Sequence, residues 1–211
     1  MSTISRIARP AIIALAAASL TACVGSYTGP IEVTRFVADQ PFTAGQALGQ
    51  GTITIEFPEE MSNQSARNAF AAAVAEELSQ LGYQVVLNGE AEATQVATVR
   101  TSRNPLAAAS SRGPVSVGVG GGTSSYGSGL GVGIGINLGG GTSGTNVLSE
   151  LSVRISGPDG ASLWEGRAQQ PVSMKSPYAD VDASARALAG ALFKDFPGGN
   201  GETVVIDVDD L

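Results

Sequence analysis

The residues to consider for chemistry in this chain are its one cysteine, Cys23, and neighbouring carboxylates such as Glu59/Glu60 or Asp180/Asp182. A pair of carboxyl groups is the least that general acid and base catalysis requires when nothing else titrates near neutrality. Histidine is absent, so a Ser-His-Asp triad cannot be built and the commonest metal ligand is missing. A single cysteine likewise excludes an intrachain disulfide and a metal cluster made of cysteines. The acidic pairs have a plainer use, since adjacent or helix-start carboxylates serve as caps and solvated surface. The chain is therefore expected to be no enzyme, with no catalytic, cofactor-binding or metal site and no identified small-molecule ligand.

The context of Cys23 gives it a different chemistry. Arg6 and Arg9 form a positive N-terminal region, followed by the uncharged and mostly apolar run Ala11 to Ala22, the build of an export signal. Twelve residues at about 1.5 Å each reach roughly 18 Å, short of a ~30 Å hydrocarbon core, so removal of the segment is expected and not retention as a span. Leu20-Thr21-Ala22-Cys23 resembles the lipobox of bacterial lipoproteins. That resemblance implies cleavage between Ala22 and Cys23 and transfer of acyl chains such as palmitate to the cysteine; the alternative is an ordinary signal with an incidental cysteine. Two or more chains anchor firmly, at about 0.8 kcal/mol per buried methylene. Val24, where such lipoproteins retained at the inner membrane tend to carry aspartate, favours by the same resemblance the outer membrane and its periplasmic face.

Once Arg6 and Arg9 leave with the signal, ten basic residues face nineteen acidic ones. This balance argues against nucleic acid, whose binding rests on neutralising phosphates. It also disfavours electrostatic adhesion to anionic lipid, so the expected partners are a membrane through the N-terminal lipid and another protein or further copies of this chain.

The elements that position these residues read as one domain over 31–211, preceded by the signal 1–22 and a short lipidated tether 23–30. Ile31 to Val37 is rich in β-branched residues. In "GQGTITIEFP", Ile53, Ile55 and Phe57 alternate with Thr52, Thr54 and Glu56, which predicts a half-buried strand stopped by Pro58. Ser62 or Asn63 caps a helix whose stripe is Ala66, Phe70, Val74, Leu78 and Leu81, with Gly82 placed for a left-handed C-terminal cap. Strands follow at 83–87 and Thr94 to Thr101, and "SRNPLAAASSRGP" reads as a loop. "NVLSELSVRIS" and "ASLWEGRAQQ" flank the turn Pro158-Asp159-Gly160, with Trp164 expected as a core anchor ahead of a ligand-stacking platform. Asp180 or Asp182 then caps a second helix with Ala185, Leu188, Leu192 and Phe196 on one face, ended by Pro197-Gly198-Gly199. "ETVVIDVDDL" reads equally as an acidic tail or an edge strand. The whole predicts an α+β fold: an antiparallel or mixed sheet with two helices packed on one face, plus a glycine-rich β-hairpin insert over 113–144.

That insert admits three readings. A phosphate-binding P-loop needs G-x-x-x-x-G-K-[ST], and no lysine lies between Gly113 and Gly144. A membrane-crossing hairpin would use Leu130, Val132, Ile134, Ile136 and Leu138 at strict period 2, with Val115, Val117 and Val119 on a partner strand. It could cross only as part of a closed barrel built from several chains. The third reading, a hairpin outside the membrane that buries the same apolar face, is the one expected.

Together the lipobox, "EELSQLGYQVV", "GVGIGIN", "LSVRISGPDGASLWEGRA" and "FKDFP" resemble the bacterial lipoproteins known as domain of unknown function 4136. Against that pattern, the acidic-apolar strand usual after the first helix is replaced here by "EATQVATVRTS". The resemblance implies a small α+β domain on an outer-membrane anchor, with an envelope structural or interaction role and no functional residue to transfer beyond Cys23. The alternative is a subunit of an oligomeric outer-membrane pore or export assembly that uses the glycine-rich hairpin.

Overall fold

The computed structural model describes residues 26–38, 47–86, 93–106 and 146–211. Cys23, Ala22 and the insert 113–144 lie outside these residues, and so do Asn88 and Gly89, which the sequence marks as a turn signal.

The described chain is α+β: a mixed sheet of seven strands with two helices on one face. Its strands are β1 (Ile31–Val37), β2 (Thr52–Glu56), β3 (Gln84–Val85), β4 (Gln95–Leu106), β5 (Asn146–Ser156), β6 (Ser162–Ser173) and β7 (Thr203–Ile206). Helix α1 (Gln64–Gln80) falls between β2 and β3, and helix α2 (Val181–Phe193) between β6 and β7. The spatial order is β3-β2-β4-β5-β6-β1-β7. Strand β2 runs parallel to β3 and β4, because α1 carries the chain back across the sheet, and the remaining pairs are antiparallel.

Period-2 alternation decides which face is covered. In β5, Leu151, Val153 and Ile155 are fully buried, while Glu150, Ser152 and Arg154 point to the other face. Across β6 the same row continues through Trp164, Gly166 and Ala168. The helices close this layer with Phe70, Val74 and Leu78 from α1 and with Leu188 and Leu192 from α2. Each such side chain contributes about 1.5–3 kcal/mol of apolar burial.

Both helix starts match their sequence signals. Asn63 Oδ1 accepts from the Ala66 N–H at 3.1 Å, and Asp180 Oδ1 accepts from the Asp182 and Ala183 N–H groups at 3.0 Å each. Gly82 has φ +102°, the left-handed backbone expected just past α1.

Three expectations need correction. "SRNPL" is not loop but the second half of β4, paired residue by residue with β5 from Ser102↔Glu150 to Leu106↔Asn146. Strand β2 ends at Glu56, opposite Thr98. Beyond that point no described strand pairs with this side of β4, and a proline such as Pro105 is tolerated at such a position. Of the strand expected over 83–87, β3 keeps Gln84–Val85 among the described residues. Helix α2 stops at Phe193, three residues early, so Phe196 reaches the core from the following turn. The undecided C-terminus is an edge strand, β7, followed by a short 3-10 turn over Val208–Asp210.

Candidate functional site

The two carboxylate pairs sit at opposite kinds of position and do not meet at a common centre. Glu59 and Glu60 are exposed in the turn that follows β2. Asp180 is occupied as the N-cap of α2, and Asp182 is exposed in its first turn. Among the described residues no three acidic, cysteine or histidine side chains gather closely enough to hold a metal.

Trp164 is 1% exposed and packs between the end of α2 and the turn after it. Its ring stacks on Phe193 with centroids 5.4 Å apart and meets Phe196 at 5.1 Å. Its indole N–H donates to the Pro197 carbonyl at 2.9 Å. The ring is thus a core anchor with its one polar atom satisfied. Opposite it, Gly166 leaves room: a Cβ there would strike the Trp164 ring and come within 2.7 Å of Leu192 Cδ1.

Arg35 is the buried charged side chain that pattern reading passed over. It lies in β1 on the same face as Ile31 and Val33, an arginine where the alternation calls for an apolar residue. That position was the available signal. Its Nε donates to the Leu192 carbonyl at 2.9 Å, and Nη2 donates to Ala191 and Lys194 carbonyls at 3.0 and 2.7 Å. The last turn of α2 leaves carbonyls without helical partners and gathers partial negative charge, so a buried guanidinium there answers both needs. Burial lowers the Arg35 pKa, and the Asp195 carboxylate opposes that shift.

Beside Arg35 a cleft of about 400 Å³ opens between the end of α2 and β7, lined by Lys194, Asp195, Gly198, Val204 and Asp210 among others. Lys194 Nζ donates to the Asp210 carbonyl at 2.6 Å. Gly198, at φ +79°, presses its backbone against the Arg35 guanidinium, and a Cβ at this position would lie 2.6 Å from Arg35 Cδ. These contacts fasten the C-terminal segment to the sheet.

Among the described residues, the face of β5 and β6 away from the helices carries charged pairs. Arg154 Nε lies 3.2 Å from Glu165 Oε1, and Arg167 Nε lies 3.6 Å from Glu150 Oε1, both pairs partly exposed. Gln169 Nε2 donates to Glu150 Oε2 at 3.1 Å. Exposed pairs of this kind contribute about 0–1 kcal/mol each, so this face offers a charged surface more than stability.

The N-terminal segment is fastened to the sheet before β1 begins. Thr28 bridges to Val172, the Gly29 N–H donates to the Pro171 carbonyl at 2.8 Å, and Gln170 Nε2 donates to the Gly29 carbonyl at 3.1 Å.

No family model matches this sequence. No curated protein matches it either. Solved structures do. A PDZ domain protein from Parabacteroides distasonis aligns over 86% of this chain with TM-score 0.51 and 14% identity. The likeness bears on the fold alone. This chain spans 38% of that protein's length. Two crystal forms of the PelC dodecamer from Paraburkholderia phytofirmans align over 75% and 76% of this chain, and over 93% and 94% of theirs. Both stand at TM-score 0.41 and 11% identity, too low to carry an argument about this chain.

Proposed function

We propose that this chain is a lipid-anchored envelope lipoprotein of the kind known as domain of unknown function 4136. In this reading acylated Cys23 holds the domain at the outer membrane, facing the periplasm, where it binds other envelope components and does no catalysis. The observation that carries the reading is the run Leu20-Thr21-Ala22-Cys23, which closes a short apolar segment and precedes the domain by a short tether. The capping role of Asp180 and the exposed turn position of Glu59 and Glu60 support the non-catalytic part. The open charged face of β4, β5, β6 and β1 offers the surface on which a protein partner would dock.

The first test is labelling with radioactive palmitate in cells. Incorporation into the wild-type chain and its loss in Cys23→Ser is the expected result, and unchanged labelling of that variant refutes the anchor. The second test is the mass of the full lipidated protein in mild detergent, with and without residues 115 to 141. A monomer or dimer in both cases is expected. A large ring that collapses on deletion replaces this reading with the pore or export subunit.

A further inference from the structure

One row across the sheet joins β4, β5, β6 and the N-terminal segment. Leu106 of β4 lies opposite Asn146 of β5, and Asn146 opposite Ser173 of β6. The Ser173 N–H then donates to the Tyr27 carbonyl at 2.9 Å. Neighbouring strands are about 4.8 Å apart, so the row measures roughly 15 Å across.

Tyr27 is four residues after Cys23. Extended chain covers at most ~3.6 Å per residue, which keeps the Cys23 Cα within about 14 Å of Tyr27. The far end of the same hairpin is the turn Pro158-Asp159-Gly160. It lies beyond the Ser156↔Ser162 pair, ten strand residues from Asn146 along β5, or about 34 Å at ~3.4 Å per residue. Tether length therefore keeps the row close to any membrane that holds Cys23, a limit that does not apply to the turn.

The chain just past the row suits that placement. A tight turn closes as the Ser176 N–H donates to the Ser173 carbonyl at 2.8 Å, and its corner holds Met174 and Lys175. Met174 is 51% exposed, one of five large apolar side chains exposed among the described residues, and Lys175 is exposed beside it. An apolar side chain next to a long cationic one matches the boundary between acyl chains and headgroups. The competing surface is the open sheet face. Laid flat on lipid, its Arg154, Glu165, Arg167 and Glu150 would lose water that their partly exposed pairing does not replace.

We propose that the row of Tyr27, Ser173, Asn146 and Leu106, with the Met174–Lys175 corner, lies toward the bilayer surface, and that the Pro158–Gly160 turn points away from it. This orientation rests on the lipid anchor at Cys23 proposed above.

The test uses the full lipidated protein reconstituted into vesicles of phosphatidylethanolamine and phosphatidylglycerol. Acylation consumes the Cys23 thiol, so fluorophores go selectively onto Met174→Cys, Asp159→Cys and Ser152→Cys, the last on the open face. Lipids carrying a headgroup quencher are then titrated in. With ~34 Å between the two ends, quenching at position 174 should exceed that at position 159 by about threefold or more. Equal quenching at 174 and 159, or quenching at 152 as strong as at 174, overturns the orientation while vesicle flotation still upholds the anchor. A protein that neither floats with the vesicles nor carries acyl mass on Cys23 overturns the anchor, and the orientation with it.

Discussion

Arg35 and Leu192, 157 residues apart in sequence, are joined by a 2.9 Å hydrogen bond from the guanidinium Nε to the last-turn carbonyl of α2. With Nη2 bonded to the Ala191 and Lys194 carbonyls, one side chain from β1 fixes where α2 ends and where the chain turns toward β7. Arg35→Leu should keep the apolar packing and leave three carbonyls short of a partner. The expected loss is roughly 2–4 kcal/mol, measured by urea denaturation, because bonds to a charged donor count for more than neutral ones. A loss below about 0.5 kcal/mol, the usual scatter of silent surface changes, would mean that water caps α2 just as well.

Gly166 and Trp164 make a size-coupled pair. Gly166→Ala places a methyl against the Trp164 ring and Leu192, and overpacking of this kind costs about 1–3 kcal/mol. Trp164→Ala should cost more, about 3–5 kcal/mol, through lost burial and an emptied site. The double variant is informative, because a methyl at 166 has space once the indole is gone. Its total loss should be smaller than the sum of the two single losses, and strict additivity would show that the two positions do not share one packing site.

Glu77 sets a pH dependence. Partial burial raises its pKa above the ordinary 4.5, and Glu76 adds to the shift. The folded chain therefore holds the Glu77 proton more tightly than the unfolded chain does. The stability tied to that proton is complete below about pH 4.5 and is lost as pH rises through the raised folded value. Glu77→Gln should accordingly raise Tm at pH 7 relative to wild type and leave it little changed at pH 4. The same Tm difference at both pH values would assign the effect to packing alone.

Asp180 gives the corresponding check on the carboxylate pair. As an N-cap its replacement by alanine should cost about 1 kcal/mol, and Asp180→Asn should restore most of that, since the amide oxygen caps equally well. Asp182→Ala should be nearly silent. Thermal melts of the three variants decide it: an Asn variant as unstable as the Ala variant would show that the carboxylate charge, and not the cap, is what α2 requires.

Much of this was legible in the sequence where a local rule governs. Ile53 alternation marked β2, the Phe70, Val74 and Leu78 stripe with Asn63 and Gly82 marked α1, and the Leu151, Val153 and Ile155 alternation marked the β5–β6 hairpin and its covered face. Period and capping act over a few residues, so they survive without knowledge of the fold. What only the tertiary structure decided depends on distant partners. Ser102 to Leu106 became strand because β5 lies alongside it, despite Pro105. Helix α2 stopped at Phe193 because Arg35 reaches its carbonyls from β1. The ambiguous C-terminus became β7 because β1 had a free edge. The shared row of Tyr27, Ser173, Asn146 and Leu106 is of the same kind, since cross-strand register is fixed by pairing between segments far apart in the chain and leaves no trace in any one of them.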